Sequence, residues 1–593
     1  MKGLHLLTRG LVGKARWPAV LQTTRKGRLV ASRAFTTTTN LGQEATPNYS
    51  RSSEEEKYKT EYNIYSTQSP VEPHSVNVYY KLHESAARWP LRIVGECGIT
   101  GRQLTFSTLQ DQSVRFAGLL QRGPGRGVKG VGNGDVVSMF LTNSPEYLTV
   151  FYGIVGSGAI PSPTNSSFTP DELARQILDS GSKVTVTETL LEPVVTAAIK
   201  NMKNPPFVYV VGKSNDGHAE LLPILQDNNT PFDMDPQIEP DEFVGMLYSS
   251  GTTGMPKGVL LPHKSLSASL PAYQHPEINF DLPCTDEHQT TVMGLLPFFH
   301  AYGSYMGLLS GPSSGCKIVT LPKFDPQTYL SAIKKYKFRH LHIVPPLLSF
   351  LCHPAVTSSD LSSLQGVTCS AAPCSLSHAN ILKDKTRNDF FFQELYGMTE
   401  TMVVMTTPVG QERLGSCGKL LYGSQARVVH LETQDTLPPG HKGELWIKTL
   451  GAMKCYHNNP EATNQTQTSD GWIKTGDVAK YDEQGYFYIV DRIKELIKVK
   501  GLQVSPTEIE EQLMKHDAVL DAGVVGVTCE RAGEVPKAFV VKKKDVSEEE
   551  LQSFIAKNMA RHKQLKGGVE FVDALPKNPA GKLLRRVLKE RGV

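Results

Sequence analysis

The sequence predicts an α/β protein with largely parallel sheets, and three features of the chain support this fold class. Short apolar runs alternate with helical patterns from about residue 75 to residue 490, which is typical of helices layered on parallel sheets. Residues 135–141, 183–187 and 207–211 have the apolar character of buried strands, and a helix is predicted from Pro145. A chain of 593 residues is too long for one hydrophobic core, so two or more domains are expected.

Composition excludes several classes of protein. The chain is 39% hydrophobic and 21% charged, which is ordinary for a globular enzyme, and it has no apolar run long enough to span a bilayer. Its nine cysteines are scattered, odd in number and form no C-x-x-C pair. This pattern argues for a reducing compartment and against a zinc site or a disulfide framework built on cysteine.

The N-terminal 35 residues carry eight basic side chains, and no acidic residue occurs before Glu44. Ser, Thr and small apolar residues fill the gaps, as in a mitochondrial transit peptide. Arg33, Ala34 and Phe35 followed by Thr36 resemble a matrix-protease cleavage site. Removal of residues 1–35 would leave 55 basic against 59 acidic residues and change the formal net charge from +4 to −4. The basicity is therefore attributed to targeting, not to nucleic-acid binding, although a disordered basic tail is the alternative. Residues 36–70 are predicted to be a polar, solvated lead-in.

The segment from Tyr248 to Val259 is the most informative part of the chain. It holds glycines at 251, 254 and 258, Ser and Thr hydroxyls between 249 and 253, and Lys257. Glycines allow a tight turn and close approach to a ligand, while hydroxyls, backbone N–H groups and a lysine suit polyphosphate. Met255 and Pro256 separate Gly from Lys, so the segment is not a Walker A loop. The alternative is a plain Ser/Gly-rich turn between strands.

This loop resembles the phosphate loop of the adenylate-forming enzymes, the superfamily of acyl-CoA synthetases, luciferases and peptide-synthetase adenylation domains. Further motifs follow in the order that this superfamily requires, and the resemblance covers about residues 75–590. It implies a large N-terminal domain over residues 71–491 and a small, mobile α+β domain over residues 492–593. The motifs lie at residues 296–303, 370–373, 396–400, 443–445, 475–477, 491–498, 499–504 and 576–582.

The resemblance implies an ATP site and a bound Mg²⁺. The phosphate loop would hold the β- and γ-phosphates, a small-residue turn would approach adenine, and a lone carboxylate can accept both ribose hydroxyls. Glu400 and Thr253 are the implied Mg²⁺ ligands, since oxygen atoms suit this hard ion. The implied ATP-binding residues are Ser249, Ser250, Gly251, Thr252, Thr253, Gly254, Lys257, Ala371, Ala372, Pro373, Tyr396, Gly397, Thr399, Asp477 and Arg492.

Other residues are implied in catalysis, acid binding and domain movement. Lys582 would bridge the substrate carboxylate and the α-phosphate, which Thr399 also contacts, while His263 would lie near the acid. Lys498 would enter the site when the small domain rotates for transfer to CoA. His300, Tyr302 and Gly303 would line the acyl site, Lys494 would be the hinge, and Gly501 would line the CoA tunnel.

Each assignment has a structural alternative. Glu400 can be an acid at a helix N-terminus, Asp477 a turn residue, and Lys582 a solvated loop lysine. A packed histidine is as good an interpretation of His263 as an active one, and Lys494 and Lys498 can be surface lysines. The sequence also departs from the family pattern at two places: Cys455 stands where glycine is usual, and Glu394-Leu395 stand where Gln-Gly is common. The second departure leaves the composition of the adenine-pocket floor undetermined.

The resemblance is strongest to the 4-coumarate–CoA ligase and luciferase-like branch. We therefore expect an ATP-dependent acid:CoA ligase that adenylates a fatty or aryl acid and passes the acyl group to CoA in the mitochondrial matrix. ATP, CoA and Mg²⁺ are the expected cofactors, with no nucleic-acid partner and no transmembrane segment. The alternatives are a luciferase-like oxygenase and a nucleotide-binding regulatory protein without catalysis.

Overall fold

The computed structural model describes residues 59–60, 62–71, 78–123, 130–227, 241–249, 256–387, 389–500, 502–529, 531–578 and 581–591. The predicted transit peptide, most of the predicted lead-in, Gly501 and residues 250–255 of the phosphate loop lie outside these ranges. Within the described residues, every helix is too short or too polar to cross a bilayer.

The first part of the chain alternates strands and helices as predicted. The strand predicted at residues 135–141 is present, as are those at 183–187 and 207–211, and a helix starts at Pro145. The elements are β1 (Lys59–Thr60), β2 (Asn63–Tyr65), α1 (Val78–Arg88), β3 (Ile93–Cys97), β4 (Gln103–Thr105), α2 (Phe106–Arg122), β5 (Val136–Phe140), α3 (Pro145–Gly156), β6 (Ile160–Pro163), α4 (Pro170–Ser180), β7 (Val184–Glu188), α5 (Glu192–Ile199), β8 (Phe207–Val211), β9 (Ala219–Glu220) and α6 (Leu221–Gln226).

The middle of the chain supplies a hairpin, a second set of parallel strands and a π-helical segment, Ser304–Ser310. The elements are β10 (Phe243–Ser249), β11 (Lys257–Pro262), α7 (His263–Gln274), β12 (Thr291–Gly294), α8 (Ala301–Gly303), α9 (Gly311–Ser313), β13 (Lys317–Thr320), α10 (Pro326–Tyr336), β14 (His340–Ile343), α11 (Pro345–Cys352), β15 (Gly366–Cys369), α12 (Leu376–Lys385), β16 (Phe391–Met398) and β17 (Met402–Thr406).

The last part of the chain is richer in antiparallel strands and ends in the small domain, which includes a 3₁₀ turn at Arg561–Lys563. The elements are β18 (Lys419–Leu420), β19 (Ser424–Val429), β20 (Gly443–Thr449), β21 (Cys455–Tyr456), α13 (Pro460–Thr466), β22 (Ile473–Tyr481), β23 (Phe487–Arg492), β24 (Ile497–Val499), β25 (Leu502–Val504), α14 (Pro506–Leu513), β26 (Val519–Cys529), β27 (Gly533–Lys542), α15 (Glu548–Asn558), β28 (Val569–Phe571) and α16 (Arg585–Arg591).

The predicted α/β class is confirmed, with sheets that are mixed. The sheet β6-β5-β7-β8-β9 is wholly parallel, and its strand β5 is buried along its whole length, as expected when helices cover both faces. The sheets β12-β13-β3-β4 and β14-β15-β16-β17-β18 begin parallel and end antiparallel. A sheet of six strands, β1-β2-β19-β20-β22-β23, is antiparallel.

Local signals fix where the helices begin and end. Thr169 and Glu172 form a capping box at the start of α4, and Pro170 lies in the first turn of this helix. Gly181, in the left-handed region at φ 65°, caps its C-terminal end. Ser144 similarly caps α3 ahead of Pro145. These caps place both helices against the parallel sheet with their apolar faces inward.

The end of the predicted lead-in is part of the fold. Ile64 in β2 is buried, and β2 pairs with β19 at the edge of the antiparallel sheet. One apolar residue between Asn63 and Tyr65 is too short a pattern to predict a strand. The strand that pairs with it also lies more than 350 residues away in the sequence, so no local signal indicates the pairing. Within the predicted lead-in, Ile64 and Gln68 are thus buried, while Tyr62, Thr67, Ser69 and Pro70 are exposed.

The small domain has its own hydrophobic core. Strands β25-β24-β27-β26, with β28 beside β27, cover one side of this core, and α14 and α15 bury Ile509, Leu513, Leu551 and Ile555 in it. Strand β23 ends at Arg492 and β24 begins at Ile497. The domain boundary after residue 491 stays a prediction. This short connection carries the chain from the large domain to the small one.

A buried ion-pair network joins the last helix to the rest of the small domain. Arg585 donates to Glu510 at 2.7 Å and to Glu495 at 2.5 Å, and all three side chains are about one-seventh exposed. Burial raises the pKa of Glu510 to about 7, although the guanidinium opposes this shift. Removing one member of such a network leaves buried charge without a partner.

We predict that Arg585→Ala destabilises the small domain by roughly 3–5 kcal/mol, because Glu510 and Glu495 lose their counter-charge. Urea unfolding followed by hydrogen exchange in β26 and β27 measures the effect. The matched control is Arg586→Ala, whose side chain is 83% exposed and pairs with Glu590 on the same helix. A loss for Arg585→Ala no larger than that of the control would contradict a stabilising network.

Candidate active site

One large cavity of about 2580 Å³ gathers most of the predicted site residues. Its wall combines the carboxyl end of the sheet containing β14 to β16, the strands β22 and β23, and the small domain. The predicted residues that line it are Ser249, Lys257, His300, Tyr302, Ala371, Ala372, Pro373, Tyr396, Gly397, Thr399, Glu400, Asp477, Arg492, Lys494, Lys498 and Lys582. Residues more than 330 positions apart in sequence therefore meet at one site.

The phosphate loop connects two antiparallel strands. Ser249 at the end of β10 pairs with Lys257 at the start of β11, so the two ends of the predicted phosphate loop lie side by side. Helix α7 starts only at His263, after all of β11, and this topology differs from a strand–loop–helix Walker A unit. Ser250, Gly251, Thr252, Thr253 and Gly254 lie outside the described residues.

Lys257 and Glu400 are brought together by a tyrosine that the sequence did not single out. The Lys257 amine lies 5.0 Å from the ring centroid of Tyr456, and the Tyr456 hydroxyl donates to Glu400 at 2.8 Å. Tyr456 reaches this place because β21 pairs with β11, with Val259 opposite Tyr456. Glu400 is buried at the cavity wall, and a carboxylate held by one hydroxyl keeps lone pairs for a hard cation. The residues present therefore fit Mg²⁺.

Glu400 lies in a hairpin loop and not at a helix N-terminus. Strands β16 and β17 pair antiparallel with Met398 opposite Met402, which leaves a three-residue loop. Met402 has φ 55°, the left-handed conformation that closes such loops. Gly397 sits at a bulge where a Cβ would come within 2.1 Å of the Met402 carbonyl oxygen, so only glycine fits. The hairpin aims Thr399 and Glu400 into the cavity.

The small-residue turn after β15 carries backbone strain at the cavity wall. Ala371 has φ 75°, a conformation that costs an alanine roughly 1–3 kcal/mol and that is held by its surroundings. Ser370 anchors the turn by donating its hydroxyl to the Leu395 carbonyl at 2.7 Å. Ala371, Ala372 and Pro373 are thereby exposed to the cavity with little side chain, as a flat ligand such as adenine requires.

Asp477 is a buried strand residue, so its interpretation as a turn residue is excluded. It faces Arg492 across the β22–β23 pair, with 3.3 Å between Arg492 Nε and its Oδ1. The Tyr396 hydroxyl donates to its other oxygen at 2.7 Å. Burial raises the pKa of Asp477, while Arg492 and Tyr396 oppose the shift. The carboxylate is thus held in place by two donors at the wall of the cavity.

Lys582 extends from the small domain into the same cavity. Its backbone N–H donates to Asn578 at 2.8 Å, and Gly581 has φ 78° and lies so close to Pro346 that a Cβ would come within 2.4 Å of that ring. Burial, with the positive charge of Arg492, lowers the pKa of Lys582 to about 8. Burial and the Lys582 charge together lower the pKa of His300 to about 4. The lysine is therefore not a solvated loop residue.

Glu394 is a cavity residue that sequence flagged only as a departure from the family. Burial raises its pKa to about 7, and it accepts the Gly415 N–H at 2.7 Å. It lines the cavity beside Cys374. The position of Glu394 depends on a contact between β16 and a loop 21 residues later, and no local sequence pattern predicts that contact.

Among the described residues, two predicted site residues do not line the cavity. His263 is fully buried at the start of α7, where its Nδ1 accepts the Val78 N–H at 3.4 Å, and burial lowers its pKa to about 3. The alternative of a packed histidine is therefore the one that the structure supports. Gly303 is required by packing, because a Cβ would lie 2.1 Å from the Pro297 carbonyl oxygen. Lys494 and Lys498 are exposed at the cavity edge.

Comparison with known families identifies the chain. The AMP-binding enzyme model matches residues 82–457, and the model of the AMP-binding enzyme C-terminal domain matches residues 508–582. The chain belongs to the AMP-binding enzyme family. Within that family it is an AMP-forming acid:CoA ligase, which uses ATP, CoA and Mg²⁺. The oxygenase and the non-catalytic alternatives are not favoured.

Relatives and solved structures resemble nearly all of the described chain. A probable 4-coumarate–CoA ligase 3 of Dictyostelium discoideum is 37% identical over 77% of this chain and 86% of its own. The 4-coumarate–CoA ligase 3 of Oryza sativa subsp. japonica is 36% identical over 83% and 88%. The ATP-bound MatB structure from Rhodopseudomonas palustris has a TM-score of 0.78 at 27% identity, covering 87% of this chain and 99% of that one. The o-succinylbenzoate CoA synthetase of Bacillus subtilis, in complex with its acyl-adenylate intermediate, has a TM-score of 0.72 at 25% identity, covering 87% and 98%.

We predict that the Lys582 amine of the free enzyme titrates near pH 8 and is a cation below that value. Competitive labelling with trace acetic anhydride, read by peptide mass spectrometry across pH, measures this. Arg492→Gln removes a neighbouring positive charge and should raise the midpoint, because the lysine cation becomes less unfavourable. A midpoint near the ordinary lysine value of about 10.4 in both proteins would show that the amine lies outside the cavity.

Proposed function

We propose that this ligase couples an apolar monocarboxylic acid, fatty or aryl, to CoA, and that it does so in the mitochondrial matrix. The observation that carries the proposal is the meeting of Lys582, Asp477 and His300 in one cavity that also holds Glu400 and Lys257. A cationic lysine lies beside Asp477, the carboxylate suited to ribose hydroxyls, and the cavity also holds the lysine suited to the outer phosphates. This arrangement suits attack of the substrate's carboxylate on the α-phosphate of ATP.

The wall near His300 and Tyr302 supports an apolar acid. Tyr302 is buried and donates its hydroxyl to the Thr368 carbonyl at 2.9 Å, so its ring, not its polar end, is available to a ligand. Tyr305, Leu348, Phe350 and Pro346 continue this surface. Such a lining has few charges to balance a second carboxylate. Relatives named for 4-coumarate, an aryl acid, support the same substrate class.

In the first step the acid oxygen forms a bond to the α-phosphorus of ATP, and the bond to the pyrophosphate oxygen breaks. Lys582 would stabilise the charge on the α-phosphate and the incoming carboxylate. Asp477 would accept the ribose hydroxyls, Arg492 would hold Asp477, and the Ala371 turn would contact adenine. Lys257 would bind the outer phosphates. Bound Mg²⁺, held by Glu400, would supply further charge neutralisation to the phosphate oxygens.

In the second step the CoA sulfur forms a bond to the acyl carbon, the bond to AMP breaks, and the thiol proton is lost. Lys582 has no part in this chemistry, and the family pattern places Lys498 and Gly501 near the thiol. In the structure Lys582 faces the cavity while Lys498 is exposed, which supports a rotation of the small domain between the steps.

Pyrophosphate release tests the proposal. Purified protein is given ATP and Mg²⁺ with benzoate, 4-coumarate, hexanoate, octanoate or malonate, with and without CoA. We expect thioester and AMP with at least one apolar acid and little turnover of the dicarboxylate malonate. A preference for malonate would overturn the substrate class, and pyrophosphate release without any thioester would overturn the ligase assignment.

Lys582→Ala is predicted to slow adenylation by ~10²–10⁴ and to leave the transfer of a supplied acyl-adenylate to CoA largely intact. The amine acts on a transition state that occurs only in the first step, so only that step loses stabilisation. Rapid-quench assays of each half-reaction measure the two rates. The matched control is Lys577→Ala in the same loop, whose amine pairs with Asp521 and should leave both rates unchanged. Equal loss in both half-reactions would contradict the assigned role.

Lys494→Pro should keep pyrophosphate release and reduce thioester formation roughly 10²-fold. Proline fixes φ in the segment between β23 and β24 and thereby restricts the change of backbone angles that a hinge needs. Lys494→Ala is the control, because it removes the same side chain and leaves φ free. If both variants transfer at the parent rate, the segment is not a hinge.

The mature protein is predicted to begin near Thr36 inside mitochondria, since the first 35 residues are basic and free of acidic side chains. N-terminal mass spectrometry of protein from isolated organelles measures the start. Replacing the eight basic residues of this segment by Gln should leave the protein in the cytosol. Recovery of an intact Met1 from the organelle would contradict cleavage.

A further inference from the structure

Two buried histidines and one half-buried aspartate behind the acyl part of the cavity form a cluster that the ligase chemistry does not use. Asp281 precedes β12, and His340 and His342 lie on β14, which runs directly into Pro345 at the cavity wall. One oxygen or nitrogen atom from each lies within 4.8 Å of the others. His340 and His342 are 5% and 7% exposed, and their ring centroids are 4.7 Å apart.

Hydrogen bonds fix the tautomer of His340. The Gln393 amide nitrogen donates to the carbonyls of Ile278 and Thr407, so its oxygen can only accept. The Thr368 hydroxyl donates to that oxygen at 2.6 Å and must then accept from His340 Nε2 at 2.8 Å. The hydrogen of neutral His340 is therefore on Nε2, and the lone pair is on Nδ1.

That lone pair lies next to a carboxylate oxygen. His340 Nδ1 lies 3.2 Å from Asp281 Oδ2 but makes no aligned hydrogen bond in the described residues. Two electron-rich atoms at this distance repel unless a positive charge lies with them. Arg339, the neighbouring cation, stacks on the Phe280 ring at 5.1 Å and does not occupy this position.

A similar argument assigns a lone pair to one ring nitrogen of His342. The Tyr302 hydroxyl donates its one hydrogen to the Thr368 carbonyl, so the 3.3 Å contact with His342 Nδ1 requires the histidine to donate. Its Nε2 is then left with a lone pair.

We propose that Asp281, His340 and His342 bind a divalent transition-metal ion, with Zn²⁺ the best match. Two neutral imidazoles and one carboxylate are a ligand set typical of Zn²⁺, and tetrahedral ligands at 2.0–2.1 Å are about 3.3 Å apart, close to the 3.2 Å between His340 and Asp281. Thr368 and Tyr302 hold the non-coordinating nitrogens, as outer partners do at metal sites.

The ion would connect the acid site to the loop before β12. Tyr302 lines the cavity and is held by His342 and by the carbonyl of Thr368. A metal that fixes His342 would therefore fix the ring of Tyr302, and Asp281 would tie its loop to β14. Nitrogen ligands distinguish this site from the oxygen site at Glu400, since Mg²⁺ binds oxygen.

Metal content and Co²⁺ titration test the site. The full chain, purified without chelator and dialysed with excess Mg²⁺, should contain about one equivalent of Zn²⁺. After removal of that metal, added Co²⁺ should give the intense visible bands of a tetrahedral site, and Zn²⁺ should raise the melting temperature. These readouts need no substrate, so they do not depend on the proposed function.

Variants assign the ligands. Asp281→Asn and His342→Gln should weaken Co²⁺ binding by more than ~100-fold. His218→Gln is the matched control, because His218 lies with Glu192 and Asp216 in a separate group of acid and imidazole side chains. This variant should bind Co²⁺ as tightly as the parent protein does. Glu400→Gln should also leave the Co²⁺ spectrum unchanged.

Two results would overturn the proposal. The first is parent protein that carries no metal and gives no Co²⁺ bands, which would leave the cluster as a buried imidazolium–carboxylate pair. The second is metal that persists in both ligand variants when circular dichroism shows them folded, which would place the ion elsewhere.

Discussion

The structure depends on holding a lysine amine of the small domain in a largely buried cavity of the large one. A cation loses hydration free energy there, which is why the pKa of Lys582 falls to about 8. Only nearby negative charge offsets that cost, and Asp477 and Glu495 supply it. Arg492 opposes the lysine but holds Asp477 at 3.3 Å, so the carboxylate is shared between two cations. Register in one strand pair, β22 with β23, therefore determines the charge balance of the whole site.

The same strand pair also begins the connection to the small domain. Asp491, buried at the end of β23, accepts the Ser505 hydroxyl at 2.5 Å and the Thr507 N–H at 3.1 Å at the start of α14. Its neighbour Arg492 faces the opposite way, to Asp477. Successive residues of a strand point to opposite faces, so one dipeptide contacts both the nucleotide side and the small domain. A change in the backbone just beyond it would move Lys582 without disturbing Asp477.

Sequence predicted the parts of the site that lie within short turns. The 370–373 turn and the 396–400 hairpin carry their geometry in glycine and small residues and lie where expected. Ser249 and Lys257, which flank the predicted phosphate loop, also line the cavity. Tyr456, Glu394 and the cluster at Asp281 were missed because their partners come from distant strands or loops, and register is not visible in one sequence. His263 was misplaced for the same reason: a histidine near a motif is adjacent in sequence, but α7 turns it toward Val78. The fold class was easier to predict because apolar alternation is local, whereas the antiparallel edges depend on pairing.

Asp477 and Glu495 offset only part of the cost of burying Lys582, and the reaction supplies further negative charge. An acid and ATP both bring negative charge to the amine, and that charge is greatest as the α-phosphate is attacked. Substrates therefore stabilise the arrangement in which the small domain places Lys582 in the cavity, and they do so most strongly at the transition state. Release of pyrophosphate, and conversion of the carboxylate into the acyl-adenylate, a mixed anhydride with one negative charge on its phosphate, remove most of that charge. The buried cation then loses its main stabilisation, and an arrangement that returns Lys582 to water becomes relatively more favourable. On this account the energetic cost of burying the lysine is what links the chemistry to the movement of the domain.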